Sequence, residues 1–168
     1  DLAGLIDAAN IDLKSFSETF YKKLCSAKLS PVLDAIRAYH EAGIWIEITT
    51  LVIPGENDSP KELGQIARFI ASVSPDIPWH LSRYYPRYRY DSAPPTPVEE
   101  LEEARRTGLS EGLFYVYTGN VPGNDGENTF CPGCGNKTIE RQGYRVAGQG
   151  MNGDRCVQCG RSIPGRFA

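Results

Sequence analysis

No stretch of the sequence approaches the roughly 20 consecutive apolar residues that cross a bilayer. The first residues also lack the basic, apolar and small-residue zones of a signal peptide. Strong net charge is missing too: 18 Lys/Arg against 21 Asp/Glu leave −3, which gives no reason to expect a membrane surface or nucleic acid as the main partner. The composition, 40% hydrophobic and 23% charged, excludes global disorder. The chain opens on Asp1 rather than Met, inside what reads as an apolar segment, so a piece of a longer protein is expected. With no secretory context a cytoplasmic, reducing setting is expected, where paired cysteines favour metal over disulfides.

What is present divides in two. The 168 residues suffice for one domain of ordinary size plus a small appendage. Residues 128–168 carry six Lys/Arg against two acids, a charge of +4, while the remainder carries −7. A basic tail on an acidic body could touch an acidic partner or RNA, or be simply a solvated surface.

The cysteines are the sharpest signal. Cys131-Pro-Gly-Cys134-Gly and Cys156-Val-Gln-Cys159-Gly are similar knuckles with 21 residues between them. A CxxC turn presents two sulfurs to one ion, and two such turns across a small hairpin make a zinc ribbon. The Gly after each second Cys suits a positive φ and exposes amide N–H groups to the sulfurs. Structural zinc on Cys131, Cys134, Cys156 and Cys159 is favoured over an iron site or disulfides. Metal binding would supply the folding energy that some forty polar, Gly-rich residues cannot draw from a core. Cys25 stands apart at a predicted helix end and reads as a buried or half-buried structural thiol.

The body alternates strands and helices. Residues 5–13 (LIDAANIDL) read as a strand, and Ser15 with Glu18 as a capping box opening a short helix to Leu24. Ser30-Pro31 predicts the start of the next helix, and Gly43 its stop. Residues 44–53 (IWIEITTLVI) predict a strand bounded by Pro54-Gly55. Ser59-Pro60-Lys61-Glu62 predicts a helix to about Val73, residues 79–85 a strand, Thr96-Pro97 another helix start and residues 113–117 a last strand. This order implies α/β architecture with a parallel sheet and right-handed crossovers, its site at the carboxyl ends of the strands. The units are too few to close an eight-fold barrel and fit part of an open or partial one. After Gly119 helical periodicity stops, which puts a boundary near 119–128; the division taken is 1–120 and 121–168.

Three segments in order, NIDLK (10–14), LVIPGEND (51–58) and HLSRYYP (80–86), resemble radical S-adenosylmethionine enzymes, in particular the branch typified by the pyruvate formate-lyase activating enzyme. VEEL–EEAR, YVYTGNVPG, GENTFCPGCG and the final Cys-x-x-Cys-Gly-x-x-Ile-Pro-Gly extend the resemblance to the radical enzyme of the AmmeMemoRadiSam system, over residues 5 to 165. The resemblance implies the C-terminal part of a partial (β/α)6 barrel, followed by the zinc-ribbon-like module. It also implies a [4Fe–4S] cluster and S-adenosylmethionine, cleaved reductively to a 5′-deoxyadenosyl radical that abstracts hydrogen from a protein or small-molecule substrate. Memo-like and AMMECR-like proteins are the partners it suggests.

The family's Cys-x-x-x-Cys-x-x-Cys cluster loop is absent from these residues, so the chain alone is expected to be inactive. By resemblance, Lys14 pairs with the methionyl carboxylate of S-adenosylmethionine, and Asp12, on the same side of an extended strand, orients it. An ordinary surface ion pair is the alternative. Val52, Ile53 and Gly55 match the segment that packs on adenine, Gly55 through close approach; a buried strand and turn is the alternative. Tyr85 stands where a ligand-facing His is expected, with His80 five residues earlier, and His40 reads as an exposed helical residue. The loop with Arg87, Tyr88, Arg89 and Tyr90 could recognise a polypeptide, phosphate or nucleic acid strand, or be a bare surface loop. Asn120 to Gly123 could line the same mouth. The competing class is a non-enzymatic zinc-ribbon module that binds RNA or a partner protein on an α/β scaffold.

Overall fold

The computed structural model describes residues 4–166 apart from Arg89, Tyr144 and Gln149. The element order is β1 (Ala8–Asp12), α1 (Glu18–Phe20) running into a π turn (Tyr21–Cys25), α2 (Leu29–Glu41), β2 (Trp45–Val52), α3 (Pro60–Val73), β3 (Trp79–Arg83), α4 (Val98–Ser110) and β4 (Val116–Gly119). A 3-10 turn (Asp125–Glu127) and five short strands follow: β5 (Thr129–Phe130), β6 (Lys137–Gln142), β7 (Arg145–Ala147), β8 (Met151–Asn152) and β9 (Arg155–Cys156).

The first four strands form one sheet in the order β1-β2-β3-β4, every neighbour parallel. Along β2 burial alternates strictly: Ile46, Ile48, Thr50 and Val52 are buried, and Trp45, Glu47, Thr49 and Leu51 are not fully so. The buried phase packs with Leu63, Ile66 and Ile70 of α3, with Leu101 of α4 and with Ile36 of α2. Trp79, wholly buried, donates its indole N–H to Thr50 Oγ1 at 2.9 Å. Each such side chain contributes roughly 1.5–3 kcal/mol through its removal from water. The opposite phase of the sheet faces away from the helices and carries polar side chains.

Several predicted starts are displaced, and at Ser15 and Thr96 the reason is that side chains read as local caps make long-range bonds instead. Ser17, not Ser15, caps α1, accepting from Phe20 N–H at 3.3 Å. Ser15 is fully buried and donates to Glu62 Oε1, which also accepts from Phe16 N–H. Helix α2 begins at Leu29, its N–H held by Glu18 Oε2 at 3.3 Å, so Ser30-Pro31 lies inside the first turn. Thr96 does not cap α4. Its hydroxyl accepts from Tyr84 N–H and donates to the Val52 carbonyl, tying β2 to β3. The last strand of the sheet lies at Val116–Gly119, later than the predicted 113–117, with Leu113 buried and Phe114 exposed.

The residues after Gly119 form a three-stranded antiparallel sheet, β5-β6-β7, and a separate β8-β9 pair. A second small hydrophobic cluster sits here, of Tyr115, Cys131, Cys156 and Ile163, with Tyr117 and Met151 against it. Tyr115 and Tyr117 flank the start of β4, so the cysteine module packs on the last strand of the sheet.

Candidate functional site

The two cysteine turns are built alike. Gly135 N–H and Gly160 N–H each donate to the carbonyl of the first Cys of their knuckle at 2.8 Å. Cys131 N–H and Cys156 N–H are held by the Asn136 and Arg161 carbonyls at 2.8 and 2.9 Å. Gly135 and Gly160 have φ of 74° and 73°, the left-handed conformation that a side chain would strain. The turns bring all four Sγ atoms within 4.8 Å of one another, with Cys131–Cys159 at 3.5 Å and Cys134–Cys156 at 3.7 Å. A tetrahedral thiolate site with bonds of about 2.3 Å has edges of about 3.8 Å, so the residues fit a metal ion. Burial works against ionising Cys156, but the N–H groups of Cys159 and Gln158 and the Asn136 amide, 3.6 Å away, hold its thiol down at about 6. Four sulfurs close the site and leave no open position for a substrate.

At the carboxyl edge of the body sheet, Lys14 Nζ lies 2.8 Å from Asp12 Oδ2, both partly exposed. Their backbone is fixed from below. Asn57, 1% exposed, donates to the Lys14 carbonyl at 2.6 Å and the Leu51 carbonyl at 2.8 Å and accepts from Ile53 N–H at 2.7 Å. Thr50 Oγ1 donates to the Leu13 carbonyl at 2.7 Å, and Lys14 N–H donates to Tyr21 Oη at 3.1 Å. One buried amide thus joins the ends of β1 and β2. In the sequence Asn57 looks like a turn residue, and only its partners 43 and 6 positions away reveal its role.

Val52 is wholly buried on the helix side, its carbonyl engaged by Thr96, while Ile53 is 8% exposed. Gly55 is needed for its φ of 78° rather than for close approach. Nothing lies within 4 Å of where its Cβ would be, and its N–H donates to Asp58 Oδ2. Tyr85 is exposed, accepts from Arg83 Nη1 at 2.8 Å and lies under that guanidinium, 4.8 Å from its ring centre. It borders a cavity of about 640 Å3 with Leu51, Arg83, Arg87, Asn120 and Pro122; Asp12 and Lys14 are not among the lining residues. Arg87 and Tyr90 exchange backbone hydrogen bonds at 3.2 Å around an exposed Tyr88, and Arg89 lies outside the described residues. His40 is exposed and Cys25 half-buried.

A third group gathers His80, weighed in the sequence beside Tyr85, with partners not singled out there, and His80 and Tyr85 border different cavities. His80 Nε2 bonds Glu47 Oε2 at 2.7 Å, and the imidazole stacks on Tyr117 with ring centres 5.1 Å apart. Trp45 Nε1 donates to Glu47 Oε1 at 3.1 Å. The His80 hydrogen bond outweighs burial and keeps the Glu47 carboxyl below the usual range, with help from Trp45 and Arg141. Tyr117 Oη and Arg141 Nη1 both bond Thr129 Oγ1, at 2.9 and 2.7 Å, so this group joins sheet to module. Its sequence signal was faint: Glu47 and His80 are ionisable residues near the starts of their strands, both in the phase that faces away from the helices.

Comparison with known proteins agrees with the fold. The chain is 44% identical over 161 residues to "Uncharacterized protein MJ0808" of Methanocaldococcus jannaschii, covering 94% of this chain and 48% of that protein. The chain thus spans about half the length of the curated relative it matches. A crystal structure of a domain of a pyruvate-formate lyase-activating enzyme from Bacteroides vulgatus superposes with a TM-score of 0.60 at 26% identity, covering 68% of each chain. Among the described residues no helix is long and apolar enough to cross a membrane. Residues 1–70, which hold the Asp12–Lys14 pair, Asn57 and β1 through most of α3, match the Radical SAM superfamily.

Proposed function

We propose that this chain is the carboxyl-terminal part of a radical S-adenosylmethionine enzyme of the activating-enzyme kind. Residues 1–120 would form the later part of a partial (β/α)6 barrel and residues 121–168 a zinc-ribbon module. The observation that carries the reading is the Asp12–Lys14 pair at the carboxyl edge of a parallel sheet, within the segment similar to the superfamily. Bound beside a reduced [4Fe–4S] cluster, S-adenosylmethionine supplies a 5′-deoxyadenosyl radical for hydrogen abstraction. The Lys14 ammonium takes the methionyl carboxylate, with Asp12 steering it and Asn57 fixing the strand end. Ile53, the Gly55 turn and Tyr85 offer apolar surface and backbone to the adenine, while Val52 supports them from the core.

None of the five cysteines has the three-cysteine spacing, so cluster ligands would come from outside these residues, and the chain alone cleaves nothing. The four-thiolate site is a closed structural zinc site in a cytoplasmic protein. The order of the motifs supports placing the parent in the AmmeMemoRadiSam branch, with a protein or peptide substrate handled alongside Memo-like and AMMECR-like proteins. The +4 tail favours a second reading, a non-enzymatic zinc-ribbon module that holds RNA or a protein.

The parent protein, reconstituted anaerobically with iron and sulfide, should form 5′-deoxyadenosine from S-adenosylmethionine and a reductant. Lys14→Ala should weaken cofactor binding by about tenfold or more. No product above a cluster-free control sinks the enzyme and leaves the binding module. Elemental analysis of the chain should give one zinc per molecule; iron in its place overturns the zinc assignment.

A further inference from the structure

Between the polar face of the sheet and the cysteine module lies a cavity of about 500 Å3, within the usual size of a small-ligand site. Trp45, Ile139 and Ile163 give it apolar walls, and Glu47, His80, Glu127, Arg141 and Arg166 its polar ones. Two of those polar groups are engaged with each other, since the Glu47 carboxylate is shared between His80 and Trp45. Arg141 is different. It is half-buried, its Nη1 is held by the Glu127 carbonyl and Thr129 Oγ1, and its guanidinium lies 5.4 Å from the Tyr117 ring centre. No carboxylate pairs with it among the described residues. Tyr115 borders the same cavity, is 4% exposed, and has a hydroxyl with no hydrogen-bond partner among the described residues. That hydroxyl is closed off from the cavity, so Tyr115 offers it ring surface and Arg141 the free donors.

We propose that this cavity is a binding site for a small organic carboxylate with a flat apolar body. The Arg141 guanidinium takes the carboxylate, and the apolar body lies against Trp45, Ile139 and Ile163. A planar guanidinium matches a carboxylate geometrically. Glu47, His80 and Tyr117 sit near the amino-terminal ends of β2, β3 and β4, whereas Lys14 follows the carboxyl end of β1. The site therefore does not depend on the proposed radical chemistry.

Fluorine NMR of the zinc-loaded chain, titrated with para-fluorobenzoate and its neutral amide, tests this directly. The acid should bind, and the amide about tenfold more weakly or worse. Arg141→Gln should abolish that preference. Unchanged zinc content in that variant shows that it is folded. Equal binding of acid and amide, no binding of the acid, or a preference for the acid that survives in a folded Arg141→Gln variant each overturns the proposal.

Discussion

Trp79, Ile36, Ile48, Ile66 and Ile70 have no exposed surface and join α2, α3, β2 and β3 into one apolar layer. The buried cluster of the cysteine module holds Tyr115, Cys131, Cys156 and Ile163, two of which are thiols and one of which belongs to the approach to β4. The first region can be held by the removal of large side chains from water. In the second, Ile163 is the lone aliphatic member of the cluster, which is far too little to fix the chain from Asp125 to Ile163. Two regions of one chain, packed on each other, thus call for different sources of order, a core in one and, under the proposed metal site, an ion in the other.

That contrast can be broken first at the metal. Chelation, or Cys156→Ser, should unfold the module and forfeit on the order of 10 kcal/mol of local binding energy. Hydrogen exchange should then lose protection across β5 to β9 while β1 to β4 keep theirs. Protection that survives metal removal would show that the module has a core of its own. Trp79→Ala makes the reciprocal cut. It empties the centre of the body and removes the donor to Thr50, which should cost about 3–5 kcal/mol in a denaturant titration. Zinc content should stay at its original value, since the knuckle bonds are local to the module. Zinc lost together with the body's fold would count against two separate sources of order.

Legibility followed the same line. The doubled CxxC and its glycines could be read directly, because the backbone bonds that close each knuckle onto its first cysteine span four or five residues. The strand at β2 and the helix α3 were also plain, the latter because Ser59, Pro60 and the Glu62 N–H sit together at its start. The failures were side chains recruited over long distances. Ser15, Glu62 and Thr96 have the composition of caps, yet Ser15 bonds Glu62 of α3 47 positions away, and Thr96 bonds the end of β2 44 positions away. The Glu47–His80 bond spans 33 positions and becomes visible only once parallel register sets β2 beside β3.

Asn57 sharpens the point within the body. Asn57→Ala would strand the Lys14 and Leu51 carbonyls and the Ile53 N–H, and should cost about 3 kcal/mol. Chemical-shift changes should concentrate at Leu13–Lys14 and Leu51–Ile53 and spare the module. A loss well under about 1 kcal/mol would mean that water replaces the amide without penalty.

The smallest effect is expected where the two regions meet. Glu47 has its carboxyl held below the usual range, first by His80 of the body and in smaller part by Arg141 of the module. A lowered folded-state pKa contributes stability that is fully present above the unfolded value of about 4.3 and is lost as pH falls through the folded value. Glu47→Gln should therefore lower the urea midpoint at about pH 6, and the gap should close on acidification to about pH 3. Because the pair is partly exposed, the difference should stay under about 1 kcal/mol. Repeating the comparison after metal removal separates the contributors. A gap that narrows slightly but persists leaves His80 as the main partner, whereas a gap that vanishes with the metal would place the source of the shift in the module.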